Sequence, residues 1–138
     1  MKVIVCVDDR MGMFFNKRRL SQDYLLIKDV LTLTNGHVWM NEYSSSLFQK
    51  EGIVDNDFLK KSDDYCFVEN VDIKPYLYKI DELIIYYWNR KYPADMYFDV
   101  DLSEWKMLDH IEFKGNSHEK ILRERYVKKD EKEKEFNE

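Results

Sequence analysis

The sequence predicts a single α/β domain in which a mostly parallel mixed sheet is flanked by helices and ends in a C-terminal antiparallel hairpin. Two continuous apolar runs, at residues 2–7 and 82–88, indicate strands that are covered on both faces. Helical and strand patterns alternate between these runs, which is typical of a parallel sheet. Apolar residues then alternate along residues 105–113, and a Lys114-Gly115-Asn116 turn leads to a closing strand.

The composition indicates one globular domain at residues 1–127 and a charged tail at residues 128–138. The chain has 138 residues, of which 44% are hydrophobic and 15% aromatic, so it has ample material for a core. The tail has no apolar periodicity, which indicates a frayed helical extension or a disordered end.

Net charge and cysteine content limit the possible binding partners and the cellular compartment of the protein. A net charge of −5 argues against phosphate-driven binding of nucleic acid. Cys6 and Cys66 lie in apolar runs, where a reduced thiol serves as a small hydrophobe, and this favours a reducing compartment. No apolar run is long enough for a membrane span or a secretion signal, so we expect a cytoplasmic protein without membrane contact.

Local signals predict the first helix in detail. Ser21 is a good N-cap, and Leu26, Val30 and Leu33 recur at helical spacing until Asn35-Gly36 provides a left-handed stop. The rest of the first half is predicted as a loop at residues 8–20, a strand at 37–41, a helix or turn at 44–49, and a polar stretch at 50–64 whose structure stays open.

The second half contains three further predicted elements. Residues 65–68 indicate a strand, and Asp72 with Pro75 in the first turn indicates a helix whose Leu77 and Ile80 face the core. The closing strand of the hairpin is predicted at residues 121–127.

Several local strings resemble dihydrofolate reductase, and the resemblance spans most of residues 1–127. The strings are Val7-Asp8-Asp9-Arg10-Met11-Gly12-Met13, Leu20-Ser21-Gln22-Asp23, Glu82-Leu83-Ile84-Ile85-Tyr86, Ala94-Asp95-Met96-Tyr97-Phe98 with Trp105, and Asn116-Ser117-His118. The resemblance implies that Asp23 matches the carboxylate that binds the pterin and transfers a proton. It also implies that Tyr86 occupies the position of a threonine hydroxyl that braces this acid.

Two departures from that family concern its dinucleotide cofactor. Val68-Glu69-Asn70 stands where the reductases have a Gly-Gly pair that lets the backbone approach a pyrophosphate. Asn41-Glu42 stands where a Gly-Arg pair would hold the 2′-phosphate, so an acid replaces the cation. We therefore expect no NADPH binding of the family's kind and predict no cofactor.

The candidate site is a cleft beside Asp23. Its predicted ligand-binding residues are Val5, Val7, Asp23, Ile27, Phe48 and Tyr86, with Arg18 and Arg19 as an anion clamp at its mouth. Asp23 and the two arginines have structural alternatives, because an acid in the first turn of a helix interacts favourably with the helix dipole and a basic loop keeps nearby rings soluble. His37, His110 and His118 show no metal-ligand spacing, so we predict no metal site.

Three functional hypotheses follow. The first is a non-redox domain that binds a pterin-like or nucleotide-like small molecule beside Asp23. The second is an enzyme, either a reductase with a different electron donor or a hydrolase, in which Asp23 is catalytic. The third is a structural or interaction domain, including a homodimer formed through an exposed strand.

Overall fold

The computed structural model describes residues 1–130 and contains two β-sheets. The strands are β1 (Lys2–Val7), β2 (Gly12–Phe15), β3 (Arg18–Arg19), β4 (Val38–Met40), β5 (Ile53–Val54), β6 (Tyr65–Phe67), β7 (Glu82–Tyr87), β8 (Met96–Tyr97), β9 (Trp105–Phe113) and β10 (Ile121–Lys128). The helices are α1 (Tyr24–Thr34), α2 (Glu42–Ser45) and α3 (Phe58–Lys61), with 3-10 turns at Ser46–Phe48, Lys74–Lys79 and Leu102–Glu104.

The main sheet has seven strands in the order β5-β4-β6-β1-β7-β10-β9. Strand β1 pairs in parallel with β6 and β7, whereas β10 pairs antiparallel with β7 and β9. The apolar runs that form β1 and β7 are central because the sheet is covered on both faces there. The predicted mostly parallel sheet with an antiparallel C-terminal hairpin is confirmed.

The N-cap of helix α1 lies two residues later than predicted. Asp23, not Ser21, is the N-cap, and its carboxylate accepts hydrogen bonds from the N–H groups of Leu25 and Leu26. The predicted end is confirmed, since Asn35 takes a left-handed conformation with φ 52° and Gly36 follows with φ 76°.

The two faces of the main sheet carry separate apolar clusters. Val5 and Val7 pack in the cluster that lies away from α1, with residues such as Leu83 and Ile85. Ile27, Phe48 and Tyr86 pack together in the cluster beneath α1. The prediction that Val5 and Val7 share a cleft with those three residues is therefore wrong, because successive strand residues point to opposite faces.

Residues 8–20 contain a hairpin, so the predicted loop is wrong at this point. Strands β2 and β3 pair antiparallel, and β8 joins the other side of β2 to complete a three-stranded sheet. Pairing satisfies the backbone and covers Phe14, while Phe15 stays 43% exposed.

Three further segments refine the predictions. The polar stretch at residues 50–64 forms β5 and α3, which Phe58 and Leu59 anchor in the core. The helix predicted after Asp72 is the short 3-10 turn Lys74–Lys79, which leaves Leu77 half-buried and buries Ile80 after it.

The last described strand extends one residue beyond the predicted domain boundary. Lys128 still pairs with Trp105 in β9, and the Lys129 N–H donates to the Glu104 carbonyl. Most of the predicted tail, residues 131–138, lies outside the described residues. Within residues 1–130, no helix has the length and apolar character needed to cross a membrane.

Candidate functional site

The Asp23 carboxylate joins the start of α1 to the β9–β10 turn. Its side chain is fully buried, and its oxygens accept six hydrogen bonds from the protein. Oδ1 accepts the N–H groups of Leu25, Leu26 and Asn116, and Oδ2 accepts the N–H and hydroxyl of Ser117 and the Nδ1–H of His118. An ionised carboxylate offers about four lone-pair sites, so these contacts fill it.

These hydrogen bonds keep Asp23 ionised. Burial opposes the charge, but the N–H of Ser117, the His118 ring and the N–H groups of Asn116 and Leu26 outweigh it and lower the pKa of Asp23 to about 2. At neutral pH the group is therefore an anion and has no proton to donate.

His118 extends the network from Asp23 toward the residues before α1. Its Nδ1 lies 3.0 Å from Asp23 Oδ2, and its Nε2 lies 3.0 Å from Ser21 Oγ and 3.3 Å from the Tyr92 hydroxyl. The Trp88 ring stacks on the imidazole at 4.7 Å between centroids. His118 is therefore fixed by contacts on both nitrogens and on one ring face.

Tyr86 does not brace Asp23, contrary to the role implied by the resemblance. Its hydroxyl donates to Asp29 Oδ2 at 2.7 Å, and the Arg123 guanidinium donates to the same oxygen at 2.8 Å. Burial and the neighbouring Asp29 carboxylate raise the pKa of Tyr86 far above its usual value. Because tyrosine is much longer than threonine, its hydroxyl reaches past the start of α1 to the middle of that helix.

Arg19 and Glu69 form the other polar cluster of the site. Arg19 Nε and Nη2 donate to the two oxygens of Glu69 at 2.8 and 3.1 Å, and Ser44 Oγ donates to Glu69 Oε1 at 2.7 Å. The Arg19 guanidinium also lies over the Tyr43 ring, 4.6 Å from its centroid.

This cluster changes the predicted anion clamp. Arg19 is paired with Glu69, whereas Arg18 is exposed. Glu69 is neutralised by Arg19, whereas Glu42 is exposed at the start of α2. The two segments that the resemblance aligns with the family's cofactor-binding strings are in contact, because Asn41 Nδ2 donates to Asn70 Oδ1 at 2.9 Å.

A narrow cavity separates the two polar clusters. Its walls include Cys6, Arg19, Ser21, Asp23, Glu69 and Trp88, and its volume is about 20 Å³. That volume suffices for about one water molecule and excludes a pterin ring. Burial raises the pKa of the Cys6 thiol, so Cys6 adds an apolar wall.

Two larger hollows lie next to this cavity and share Ile27 and Leu47 with it as lining residues. One, of about 430 Å³, lies beside Asp23, and its neighbour, of about 350 Å³, runs along α1. Tyr24, Ile27, Leu47 and Gln49 line both hollows. We call the two hollows together the α1 groove; Phe48 lines its second part.

Comparisons with known proteins identify the architecture. No family model matches the chain, and no curated protein matches it. Among solved structures it is similar to a dihydrofolate reductase from Enterococcus faecalis in complex with NADP(H) and RAB-propyl. That match has a TM-score of 0.66 and 10% sequence identity and covers 94% of this chain and 96% of that chain.

The chain has a dihydrofolate reductase-like fold. This confirms the fold predicted from the short strings. At 10% identity the similarity establishes the architecture, and any ligand or reaction has to be argued from the residues of this chain.

Some of the predicted site residues lie together in the structure and others do not. Asp23, Ile27 and Phe48 border the α1 groove, whereas Val5 and Val7 face away and Tyr86 lies buried beneath α1. Ser21 and His118 were missed as partners, although both lie in strings that carried the family resemblance. Within residues 1–130, no cluster of histidine, cysteine and acidic side chains is arranged to hold a metal ion.

Proposed function

We propose that the protein binds a small heterocyclic or nucleotide-like molecule in the α1 groove and carries out no dinucleotide-dependent redox reaction. The observation that carries the proposal is an asymmetry between the two sides of the fold. The outer side of α1 has an open groove, whereas the segments that would meet a dinucleotide are bonded to each other.

The groove has the size and chemistry of a ligand site. Each of its hollows lies within the range of about 300–1,000 Å³ that is common for small-molecule pockets. Tyr24 is 58% exposed, and we expect a ligand to stack on the ring face opposite the Lys28 ammonium, which lies 5.7 Å from the ring centroid. Ile27 and Leu47 supply an apolar floor. Gln22, Gln49 and Asn116 border the same space and provide amide groups for hydrogen bonds to a heterocycle.

The dinucleotide side does not fit a cofactor. Glu69 occupies the position that should approach a pyrophosphate, and its carboxylate is held by Arg19 and Ser44. A phosphate that displaced Glu69 from Arg19 would leave a half-buried carboxylate beside the phosphate charges, which is strongly unfavourable.

Asp23 supports the groove in this proposal without contacting the ligand through its carboxylate. The filled hydrogen-bond shell leaves that group no acceptor site for an incoming amidine. Because the low pKa also removes the proton, the alternative of a reductase with Asp23 as proton donor is disfavoured.

Binding is tested by thermal shift and calorimetry with folate, dihydrofolate, simple pterins, nucleoside phosphates and NADPH. We expect a saturable rise in melting temperature with at least one pterin or nucleotide and none specific to the nicotinamide part of NADPH. Spectrophotometric oxidation of NADPH with dihydrofolate should stay at the background rate.

A pair of tyrosine variants locates the binding. Tyr24→Ala should weaken binding of the active ligand by roughly 1–3 kcal/mol, the usual contribution of stacking on an aromatic ring. Tyr78→Ala, at a ring that is 80% exposed and outside the groove, should leave the affinity unchanged. No stabilisation by any pterin or nucleotide would favour the structural-domain hypothesis, and tight NADPH binding would contradict the proposal.

A further inference from the structure

Three side chains form a linear chain of hydrogen bonds that ends at a serine hydroxyl. Asp23 Oδ2 lies 3.0 Å from His118 Nδ1, and His118 Nε2 lies 3.0 Å from Ser21 Oγ. A nucleophile, a base and a carboxylate in this order are the components of a serine-hydrolase triad, which is recognised by geometry and not by sequence order.

The surroundings fix the protonation needed for such a triad. His118 Nδ1 lies 3.0 Å from the ionised Asp23 Oδ2 and 3.1 Å from Ser117 Oγ. We assign the ring proton to Nδ1 because it faces the carboxylate, and the lone pair of Nε2 is then directed toward Ser21. Stacking on Trp88 holds the imidazole plane, and His118 is only 4% exposed. The base therefore has one orientation and one available proton-accepting nitrogen.

Ser21 has access to a confined reaction space. It is half-buried and borders the cavity of about 20 Å³, whose neighbouring walls at Leu20, Leu26 and Trp88 are apolar. This space admits about one water molecule or the end of a short acyl chain. A long or bulky acyl group does not fit.

The Tyr92 hydroxyl is the second group that contacts His118 Nε2, beside the Ser21 hydroxyl. Its oxygen lies 3.3 Å from His118 Nε2, but the single lone pair of that nitrogen is taken by the closer Ser21 hydroxyl. In the reaction proposed below, the Tyr92 O–H would turn from Nε2 to a carbonyl oxygen attached at Ser21, as hydroxyl donors do in oxyanion holes.

We propose that Ser21, His118 and Asp23 form a hydrolytic site for short acyl esters, with Tyr92 as the oxyanion donor. In the first step Ser21 Oγ bonds to the ester carbonyl carbon while His118 Nε2 takes its proton. The carbon–oxygen bond to the alcohol then breaks, and His118 returns the proton to the departing oxygen. Water next attacks the acyl-serine with His118 as base, which releases the carboxylic acid and restores Ser21. This reaction does not depend on ligand binding in the α1 groove.

The full chain is tested with methanesulfonyl fluoride, whose sulfonyl group is as small as a short acyl group, and with p-nitrophenyl acetate. We expect Ser21 to be sulfonylated with loss of fluoride, which peptide mass spectrometry locates. We also expect p-nitrophenolate to be released faster than by the heat-denatured chain. Because labelling is mapped in the wild-type protein, this experiment does not depend on whether a variant folds.

Variants separate catalysis from a purely structural hydrogen-bond network. Ser21→Ala should abolish labelling, and His118→Gln should lower the rates of labelling and ester hydrolysis by roughly 10²–10⁴-fold. Tyr92→Phe should lower ester hydrolysis by roughly 10²–10³-fold while the melting temperature stays near that of the wild type. Ser103→Ala, at an exposed serine outside the cavity, is the matched control and should keep the wild-type rates.

Two results would overturn the proposal. One is the absence of a Ser21 adduct in the folded wild-type protein under conditions that label a known serine hydrolase. The other is an ester-hydrolysis rate that is the same for the wild type, Ser21→Ala and the denatured chain.

Discussion

The Asp23 carboxylate lies close to where the sequence predicts the start of the first helix, but its contacts were not predicted. Its place in the first turn was predictable from residues 20–23, although Ser21 was predicted as the cap. The partners of Asp23 at residues 116–118 were not predictable, because contacts across more than ninety positions depend on how the closing hairpin docks. The result is a carboxylate that holds two elements together and orients His118.

The pH dependence of stability gives a direct measure of this carboxylate. The pKa of Asp23 falls from its ordinary 3.8 to about 2 in the folded chain. The stabilisation is therefore fully present above about pH 4 and is lost as the pH falls through 2, and it amounts to about 2 kcal/mol.

Urea unfolding of the wild type and of Asp23→Asn between pH 6 and pH 2 checks this prediction. Asparagine does not titrate, so the free-energy difference between the two proteins should shrink by about 2 kcal/mol over that range. Acid-sensitive contributions from other carboxylates are common to both proteins and cancel. A difference that is independent of pH would show that Asp23 is not the ionised anchor described above.

The face of the sheet to which each β1 side chain points is a second residue-scale feature that could not be predicted from the sequence. A continuous apolar run carries no alternation, so Val5 and Val7 could be assigned to either face. The pairing of β1 with β6 and β7 determines which face each residue points to. It places Cys6, and not its valine neighbours, on the cavity wall. Cleft-lining residues are therefore hardest to predict on strands that are buried on both sides.

At the scale of elements, the turn of the β9–β10 hairpin is fitted against the N-terminus of α1. Gly115 lies at this contact, where an added Cβ would collide with the Asp23 carboxylate and would come within 2.8 Å of Ile121 Cδ1. Glycine is required here for close approach, in contrast to Gly36, whose positive φ is a backbone requirement in open space.

The two glycines allow a matched comparison. Gly115→Ala should destabilise the protein by about 3 kcal/mol through steric overlap and should remove most of the acid-sensitive stabilisation because Asp23 is displaced. Gly36→Ala should lower the free energy of unfolding by about 1–2 kcal/mol, because alanine is strained in the left-handed conformation of this position. This variant should keep the full acid sensitivity. Urea unfolding of both variants at pH 6 and pH 2 distinguishes them, and equal acid sensitivity would argue against the Gly115 contact.

Element assignment from sequence succeeded where the local signal was long or punctuated. The left-handed stop at Asn35-Gly36, the apolar run of β7 and the turn before β10 all correspond to observed boundaries. It failed for β2, β3 and β5, whose two to four residues are too few to show a period and whose pairing with distant strands supplies their stability.

At the scale of the whole molecule, the sheet order places the most buried strands at the centre and the most exposed at the ends. Strand β1 lies in the middle with Val3, Ile4 and Val5 inaccessible, whereas both residues of β5 and most of β9 are exposed. Within residues 1–130, β9 pairs with β10 alone, so its other edge has no strand partner. That edge is where the predicted homodimer would form.

Hydrogen exchange followed by mass spectrometry tests this gradient and the dimer together. Amides of β1 and β7 should exchange only through global unfolding, because opening these strands requires the loss of both apolar clusters. The free energy of global unfolding is about 5–15 kcal/mol for domains of this kind. Amides of β5 and β9 should exchange through local opening and much faster. Measurement at low and at high protein concentration adds the oligomeric state, since pairing of two β9 edges would slow exchange in β9 alone as concentration rises. Uniform protection across the sheet would contradict the gradient, and concentration-independent exchange in β9 would contradict the dimer while leaving the gradient intact.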